Sequence, residues 1–294
     1  MNMKSISPFV RPASSFQKRE GQVFAAFTLL LFLFVSPCAG LAAVFDGTDD
    51  FNDNAKNSAL WDNDVNVGIG RLTETNSHIH YSTAAGTPMN GDYSGRPWKQ
   101  QISATNDWEI RVVSNVPDIS LIDSQHYAFG LFVLRNGDTA NQQVLMLSNE
   151  SPNYTPGRSF YAISSTNSLF HYEGEITTSA RSAQLRMRWD SSSFQLSSQF
   201  STDAGKTWTN CGAPVTNPWG VAAGDHFVVG PAGYSENLAV SLTDNVYGDN
   251  FQTVGQKPVI TSVQKTGTLT LSDSLTNAFY TIEWASTING PWYR

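Results

Sequence analysis

The sequence has very little cysteine. Among 294 residues only Cys38 and Cys211 occur, and Cys38 lies in an N-terminal segment that is predicted below to be removed. A mature chain with one cysteine cannot form an intramolecular disulfide. Its stability must therefore come from a hydrophobic core, which a chain of about 250 residues is long enough to build.

Basic residues are also scarce. The chain has 18 Lys and Arg against 25 Asp and Glu, a formal net charge of −7. Removing residues 1–42 removes four bases and one acid, which leaves 14 and 24 and a net charge of −10. This balance excludes the basic patch that binding to nucleic acid or to anionic lipid requires. It suits an extracellular protein and is compatible with cation binding.

Long hydrophobic runs are absent except for one. Val23–Val35 is 13 residues long, shorter than the roughly 20 residues that a membrane-spanning helix needs. Basic residues precede it and small residues follow, with a plausible cut after Ala42. This order predicts a secretory signal peptide over residues 1–42. We expect a protein that is secreted or at the cell surface and has no membrane span after cleavage. A proline directly before Cys38 argues against a lipoprotein.

Helical periodicity is missing from the rest of the chain. Apolar and polar residues alternate in Trp108–Val112 and Leu185–Trp189, as in half-buried strands. A turn at Asp190–Ser193 predicts a hairpin with Phe194–Phe200. Tyr127–Leu134 is apolar at nearly every position, which predicts a central strand covered on both sides. Eleven or twelve such strands predict an all-β, two-sheet antiparallel jelly-roll sandwich.

The composition changes near residue 255. We predict a β-sandwich domain over 43–254, then a linker and a partial small β module over 255–294. Strands are expected at Val259–Val263, Thr268–Leu271 and Tyr280–Trp284. About 40 residues without disulfides or metal would be marginal as an independent domain. Either this module packs on the main domain, or the sequence is a truncated form of a longer protein, which we favour.

Several segments resemble the concanavalin A-like lectin/glucanase (LamG-like jelly-roll) superfamily, in particular uncharacterised secreted bacterial members. Phe45–Asp53 is similar to the opening strand of that fold, and Val246–Phe251 to its closing strand. Asn106–Ile110 and Leu185–Asp190 are similar to inner strands. The resemblance covers residues 44–254. It implies the jelly-roll fold and places the first and last strands side by side.

A catalytic site is not recognisable. Laminarinase-type relatives carry E-x-D-x-x-E on one strand, and this chain has no such sequence. Glu173 and Glu175 are the nearest acid pair, because their i, i+2 spacing would place both on one face of a strand, although Gly174 suggests a turn. His78 and His80 have the same spacing but no third metal ligand, so an exposed strand edge is expected.

Ser201–Trp208 fits the Asp-box pattern S-x-D-x-G-x-T-W known from sialidases. Asp203 can accept hydrogen bonds from turn amides, and Gly205 can take a positive φ. The pattern occurs once, and the arginine cluster of a sialidase is absent. The segment therefore predicts a hairpin with a structural role.

Calcium is the most credible cofactor. Oxygen-bearing side chains cluster in both segments that the resemblance brings together, and such ligands suit Ca²⁺. The candidate ligands are Asp46, Asp49, Asp50, Asp249 and Asn250. Ordinary turn chemistry uses the same residue types and is the alternative.

Eight tryptophans offer surfaces on which a sugar could stack. Trp61, Trp98 and Trp219 have turn-forming neighbours, so we expect them to be exposed and to be candidate ligand-binding residues. Trp108 and Trp189 fall in the buried phase of their strands and are expected in the core.

Together these features favour a secreted, non-catalytic binding module for carbohydrate or another extracellular ligand. One alternative is a divergent glycoside hydrolase or polysaccharide lyase. Another is a structural protein of the cell surface or matrix. Fold resemblance alone does not choose among them.

Overall fold

The computed structural model describes residues 47–122, 124–151 and 157–255, and the backbone of four short strands after residue 258. The predicted signal peptide (1–42), Asp46 and residues 256–258 of the predicted linker lie outside the described residues. Within the described residues there is no α-helix, and no helix long and apolar enough to cross a membrane.

Strands make up most of the described chain, with two short 3-10 helices at Pro218–Gly220 and Leu242–Asp244. The strands are β1 (Gly47–Asp49), β2 (Val65–Val67), β3 (Gly70–Thr75), β4 (His78–Thr83), β5 (Asn90–Gly95), β6 (Ile102–Ser103), β7 (Trp108–Asn115), β8 (His126–Arg135), β9 (Asp138–Glu150), β10 (Gly157–Thr166), β11 (Leu169–Thr178), β12 (Ser182–Asp190), β13 (Gln195–Ser201), β14 (Thr209–Asn210), β15 (Val215–Thr216), β16 (His226–Glu236), β17 (Tyr247–Gly255), β18 (Val259–Val263), β19 (Leu269–Ser272), β20 (Trp284–Ala285) and β21 (Trp292–Tyr293).

Two antiparallel sheets form the sandwich. The nine-stranded sheet has the order β14-β13-β12-β7-β17-β4-β3, with β1 on β17 and β15 on β13. The eight-stranded sheet has the order β11-β10-β9-β8-β16-β5-β2, with β6 on β16. The predicted two-sheet jelly-roll sandwich is thus confirmed. The first and last strands of the sandwich pair, Gly47 opposite Thr253 and Asp49 opposite Phe251, as the resemblance implied.

The main core lies between the sheets. In β7 and β12, buried residues alternate with partly exposed ones, so each strand gives one face to the core. Trp108 and Trp189 are buried in that core, as predicted. The predicted hairpin is confirmed as β12 and β13, with Trp189 opposite Leu196. The one described cysteine, Cys211, is a free buried thiol, and burial raises its pKa to about 12.

The central strand β8 is buried on both faces, as its apolar sequence predicted. Phe129 and Leu131 belong to the core between the sheets. Phe132 and Leu134 belong to a second apolar cluster, on the opposite side of the eight-stranded sheet. We call the side that faces the nine-stranded sheet the inner face and the other side the outer face.

After residue 255 the chain forms two short pairs, β18 with β19 and β20 with β21. The first two strands agree with those expected from the sequence to within one residue. Of the third expected strand, Tyr280–Trp284, residues 280–283 lie outside the described residues, and Trp284–Ala285 pairs with Trp292–Tyr293. The division of the chain into a main domain and a small module stays a prediction.

Candidate ligand-binding face

The three loop tryptophans are buried, so the prediction that they are exposed is wrong. Trp61, Trp98 and Trp219 are 2%, 3% and 6% exposed. The ring of Trp61 packs edge-on against Trp98 at 4.8 Å and lies 5.0 Å from Phe251. The pairing of β1 with β17 brings these rings together at one end of the core. The turn-forming residues beside these tryptophans indicated loops, but the tryptophan side chains on these loops point into the core.

The acidic residues near the chain ends are engaged in local hydrogen bonds. Asp49 accepts the indole N–H of Trp61 at 2.6 Å and the amide of Phe51 at 2.8 Å. Asp50 accepts the amide of Asn52, and Asp249 accepts both the amide and the side chain of Asn250. Within the described residues, no group of three or more metal-ligating side chains could hold an ion. Asp46 lies outside these residues, so the calcium site stays a prediction.

Glu173 and Glu175 lie in β11, not in a turn, and a β-bulge places them on opposite faces. Glu175 lies opposite Tyr161, which belongs to the outer face. Gly174 lies opposite Ala162, but the register then shifts, so that the next pair is Tyr172 with Ile163 and Glu173 is the extra residue. Glu173 accepts a hydrogen bond from the hydroxyl of Ser164. Ser164 lies opposite Gln143 of β9, and the Gln143 amide donates a hydrogen bond to Ser198 in the nine-stranded sheet. Glu173 therefore faces inward. The turn that Gly174 suggested is therefore wrong, and the two acids do not share a strand face either, because an extra residue inverts the alternation.

His80 is also buried, so the expectation of an exposed strand edge is wrong. It lies on β4 between β3 and β17, and the ring of Tyr247 covers it at 5.4 Å. Neither ring nitrogen of His80 makes a well-formed hydrogen bond. Burial, and then the neighbouring His78, lower the pKa of His80.

Carboxylates do gather elsewhere, at one end of the outer face. Glu236 of β16, His126 of β8 and Glu150 of β9 are direct cross-strand partners and form one row. His126 Nδ1 lies 3.0 Å from Glu236 Oε2. Glu150 accepts hydrogen bonds from the hydroxyls of Ser148 and Ser159, at 3.1 and 3.2 Å. None of the three was found from the sequence.

Aromatic rings occupy the rows next to these acids. Tyr234 pairs with Tyr93, and its ring lies 4.8 Å from that of His126. Three strands away from Tyr234, on β10, Tyr161 stacks with Tyr172 of β11 at 6.5 Å. Burial raises the pKa of the Tyr93 hydroxyl, which therefore stays protonated. The outer face thus combines flat apolar rings with hydroxyl and carboxylate groups.

Among the described strands and 3-10 helices, only strands of the nine-stranded sheet make extensive contacts with the eight-stranded sheet. These contacts lie on the inner face. The outer-face side chains are nevertheless buried, and Gln142 of β9 is 3% exposed. Both the amide nitrogen and the amide oxygen of Gln142 lack a hydrogen-bond partner. A buried amide without hydrogen-bond partners is unusual in proteins.

The Asp-box segment forms the turn between β13 and β14. Asp203 accepts hydrogen bonds from the Thr207 amide, the Thr207 hydroxyl and the Ser201 hydroxyl. Gly205 has a φ of +82°, as the pattern predicted. Trp208 lies over the strands, with the Arg186 guanidinium 4.0 Å from its ring centre. These contacts account for the residue types of the pattern without a ligand.

We expect Asp203 to titrate far below an ordinary aspartate. Hydrogen bonds, first from Thr207 and then from Ser201, lower its pKa from 3.8 to about 2. A depressed pKa adds stability that is complete above pH 3.8 and is lost as the pH falls towards 2. NMR titration should place the midpoint near 2, and Asp203→Asn should reduce the acid dependence of unfolding. Asp62→Asn, at an exposed position, is the control. An ordinary midpoint for Asp203 would contradict the prediction.

Comparison with known proteins gives similarity of fold at low identity. No protein-family model and no curated protein sequence matches the chain. Among solved structures, a xylan β-1,4-xylosidase from Bacillus halodurans C-125 is 13% identical, with a TM-score of 0.48. That match covers 76% of this chain, and the chain spans only 41% of the xylosidase.

Two further structures are similar over most of their own length. The VIP36 exoplasmic/lumenal domain in its Ca²⁺/Man2-bound form is 12% identical, over 78% of this chain and 96% of that one, with a TM-score of 0.45. The Emp46p carbohydrate recognition domain in its potassium-bound form is 11% identical, over 70% and 94%, with a TM-score of 0.46. Similarities this low establish nothing about what the present chain binds.

Proposed function

We propose that this protein binds carbohydrate without cleaving it, and that the exposed end of the outer face, at Tyr172 of the edge strand β11, is the binding surface. The observation that carries the proposal is the exposed ring of Tyr172, which stacks with Tyr161, the cross-strand partner of Glu175. We further propose that the protein acts outside the cell after removal of residues 1–42.

The chemistry of this face suits sugars. A sugar ring presents C–H groups on its faces and hydroxyls at its edge, and an amphipathic ring such as tyrosine contacts the first and hydrogen-bonds the second. Carboxylates accept short, strong hydrogen bonds from hydroxyls.

A second candidate function is inverting glycoside hydrolysis, and the row of Glu236, His126 and Glu150 favours it. The two glutamates lie on strands on either side of β8, about 10 Å apart at the backbone. The carboxyl groups of a retaining pair are about 5 Å apart and those of an inverting pair about 6.5–9.5 Å apart, so the backbone spacing lies nearer to the inverting geometry.

The test uses the mature chain beginning at residue 43 and a glycan array, followed by calorimetry on the glycans that bind. Tyr172→Leu keeps an apolar side chain but removes the exposed ring, and should weaken binding by up to about tenfold, because an aromatic contact is lost. Trp208→Leu, on the other sheet, is the matched control and should leave affinity unchanged.

Reducing-sugar release separates the two candidates. Binding without release supports the proposed function. Release that is lost in Glu150→Gln or Glu236→Gln supports hydrolysis in its place. No binding to any glycan, with a folded mature chain, would contradict both and favour a structural role.

A further inference from the structure

We infer that the open edge of β11 is a self-association surface, at which a second copy of this chain pairs its own β11 in antiparallel orientation. The two eight-stranded sheets then form one continuous sheet. The inference goes beyond the proposed function and does not rest on it. It follows from the length of this edge, from its exposed side chains and from the register that a β-bulge imposes.

The edge of β11 is the longest open edge among the described strands. β11 lies at the end of the eight-stranded sheet, is 10 residues long and, within the described part of the chain, pairs only with β10. The edge strand β3 has 6 residues and carries Arg71. The other edge strands, β1, β2, β6, β14 and β15, have two or three residues each. Short edge strands and charged edge residues hinder pairing between molecules, so β11 is the edge most open to it.

The side chains of β11 also suit an interface between copies. The strand contains no Lys and no Pro, two residues that commonly block an edge. Leu169 is 67% exposed and Tyr172 is 41% exposed, although both side chains are large and largely apolar. A long edge strand with exposed hydrophobic side chains is a site at which another strand adds.

The bulge at Glu173 makes the pattern of β11 the same in both directions. Glu173 and Gly174 both face inward, Gly174 because it lies opposite Ala162 of the main core. Tyr172 and Glu175, on either side of them, both lie opposite residues of the outer-face cluster. Inner and outer residues alternate from there to both ends. A twofold axis between residues 173 and 174 therefore places inner residues opposite inner ones, and outer opposite outer, along the whole strand.

This register also opposes compatible side chains. The pairs between the two copies are Leu169 with Thr178, Phe170 with Thr177, His171 with Ile176, Tyr172 with Glu175, and Glu173 with Gly174. No like charges oppose each other, and Glu173 meets a residue without a side chain. A shift by one residue would bring inner residues opposite outer ones, so the register is specific. A surface that matches itself in this way gives a closed twofold dimer.

Pairing at the edge leaves the proposed glycan site in place. Side chains stand roughly perpendicular to a sheet, so the ring of Tyr172 stays on the outer face when a strand is added beside β11. The dimer brings two such rings, one from each copy, onto the same continuous face.

The register is tested by cross-linking the mature chain beginning at residue 43, in the presence of oxidised glutathione. A chain with both Leu169→Cys and Thr178→Cys should form a disulfide-linked dimer, because opposed residues of an antiparallel pair lie within the Cα separation that a disulfide spans. Either substitution alone should give no cross-link, since the two copies of the same residue are about 30 Å apart in this register. Cys211 is buried and serves as the background in all three variants.

Sedimentation velocity measures association without added cysteines. Between about 1 and 100 µM the mass should shift from that of one copy to that of two, since interfaces of modest size give dissociation constants in this range. Leu169→Lys should weaken association at least about tenfold, because each dimer loses two apolar contacts and gains two charges at its edges. Ile122→Lys is the matched control, because Ile122 is 71% exposed and lies outside the strands, and it should leave association unchanged.

Thermal unfolding of each variant checks that it is folded. A single copy at every concentration would overturn the inference, and so would cross-linking of Leu169→Cys alone, which would place the strands in another register. Loss of association in Ile122→Lys but not in Leu169→Lys would place the interface elsewhere and overturn it too. A chain that stays single and still binds glycan would overturn this inference and leave the proposed function in place.

Discussion

Trp61→Ala is expected to lower the free energy of unfolding by about 3–5 kcal/mol, the range for removing a large buried aromatic side chain. The Trp61 ring is almost fully buried and contacts Phe51, Trp98 and Phe251. Phe51 and Phe251 lie near the beginning and the end of the residues that form the sandwich. Their packing therefore stabilises the pairing of β1 with β17. Urea unfolding of the mature chain, followed by circular dichroism, measures the change.

The hydrogen bond from Trp61 to Asp49 adds a second, separable contribution. Asp49→Ala would leave the buried indole N–H without an acceptor, at a cost of about 1–3 kcal/mol. The loss in the double variant should be smaller than the sum of the single losses, because the two side chains share one interaction.

The control is Trp208→Ala. Trp208 is partly exposed, and it contacts Arg186 on the solvent side of the nine-stranded sheet. Its loss should cost about 1 kcal/mol or less. If Trp61→Ala left stability unchanged and weakened glycan binding, the tryptophan would be a ligand contact, as the sequence suggested, and its place in the core would be wrong.

The hairpin of β12 and β13 and the buried strand β8 were predictable because their signals are local. Alternation of apolar and polar residues over five positions, as in Trp108–Val112 and Leu185–Trp189, indicates which face of a strand is buried, and it needs no knowledge of the partner strand. Burial of Trp61 was not predictable in this way. It depends on the closure of the sandwich by β1 and β17, whose paired residues are about two hundred positions apart.

The candidate face was missed for a related reason. His126, Glu150 and Glu236 are remote in sequence, and only the strand register makes them neighbours. The bulge near Glu173 could not be read from the sequence either, and it separates the one acid pair that spacing had suggested. A usable signal was present in Tyr127–Leu134, since a strand that is apolar in both phases must have something to contact on its outer face.

Arg96→Met is expected to lower the free energy of unfolding by about 3–5 kcal/mol, because removing one partner of a buried ion pair leaves the other charge uncompensated. Arg96 is 2% exposed and contacts two carboxylates. Its guanidinium makes a bidentate pair with Asp64, at 2.9 and 3.0 Å, and a further hydrogen bond to Glu74. Lys56 also contacts Asp64, so Glu74 suffers most from the loss.

The dependence on pH identifies the cause of this destabilisation. Burial raises the pKa of Glu74 above 4.5, and Arg96 opposes that rise. Without Arg96 the pKa of Glu74 should rise further. A raised carboxyl pKa means that stability is complete below pH 4.5 and is lost as the pH increases through the folded-state pKa. The deficit of Arg96→Met relative to the unmodified protein should therefore shrink as the pH falls from 7 towards 4.5.

A second substitution tests the same cause at constant pH. Adding Glu74→Gln to Arg96→Met removes the uncompensated charge and should recover part of the lost stability, whereas Glu109→Gln added to the same variant should recover none. Urea unfolding at pH 7 and at pH 5 gives all the values required. A deficit independent of pH and unaffected by Glu74→Gln would attribute the loss to packing of the arginine stem, since Arg96 also buries its apolar methylenes.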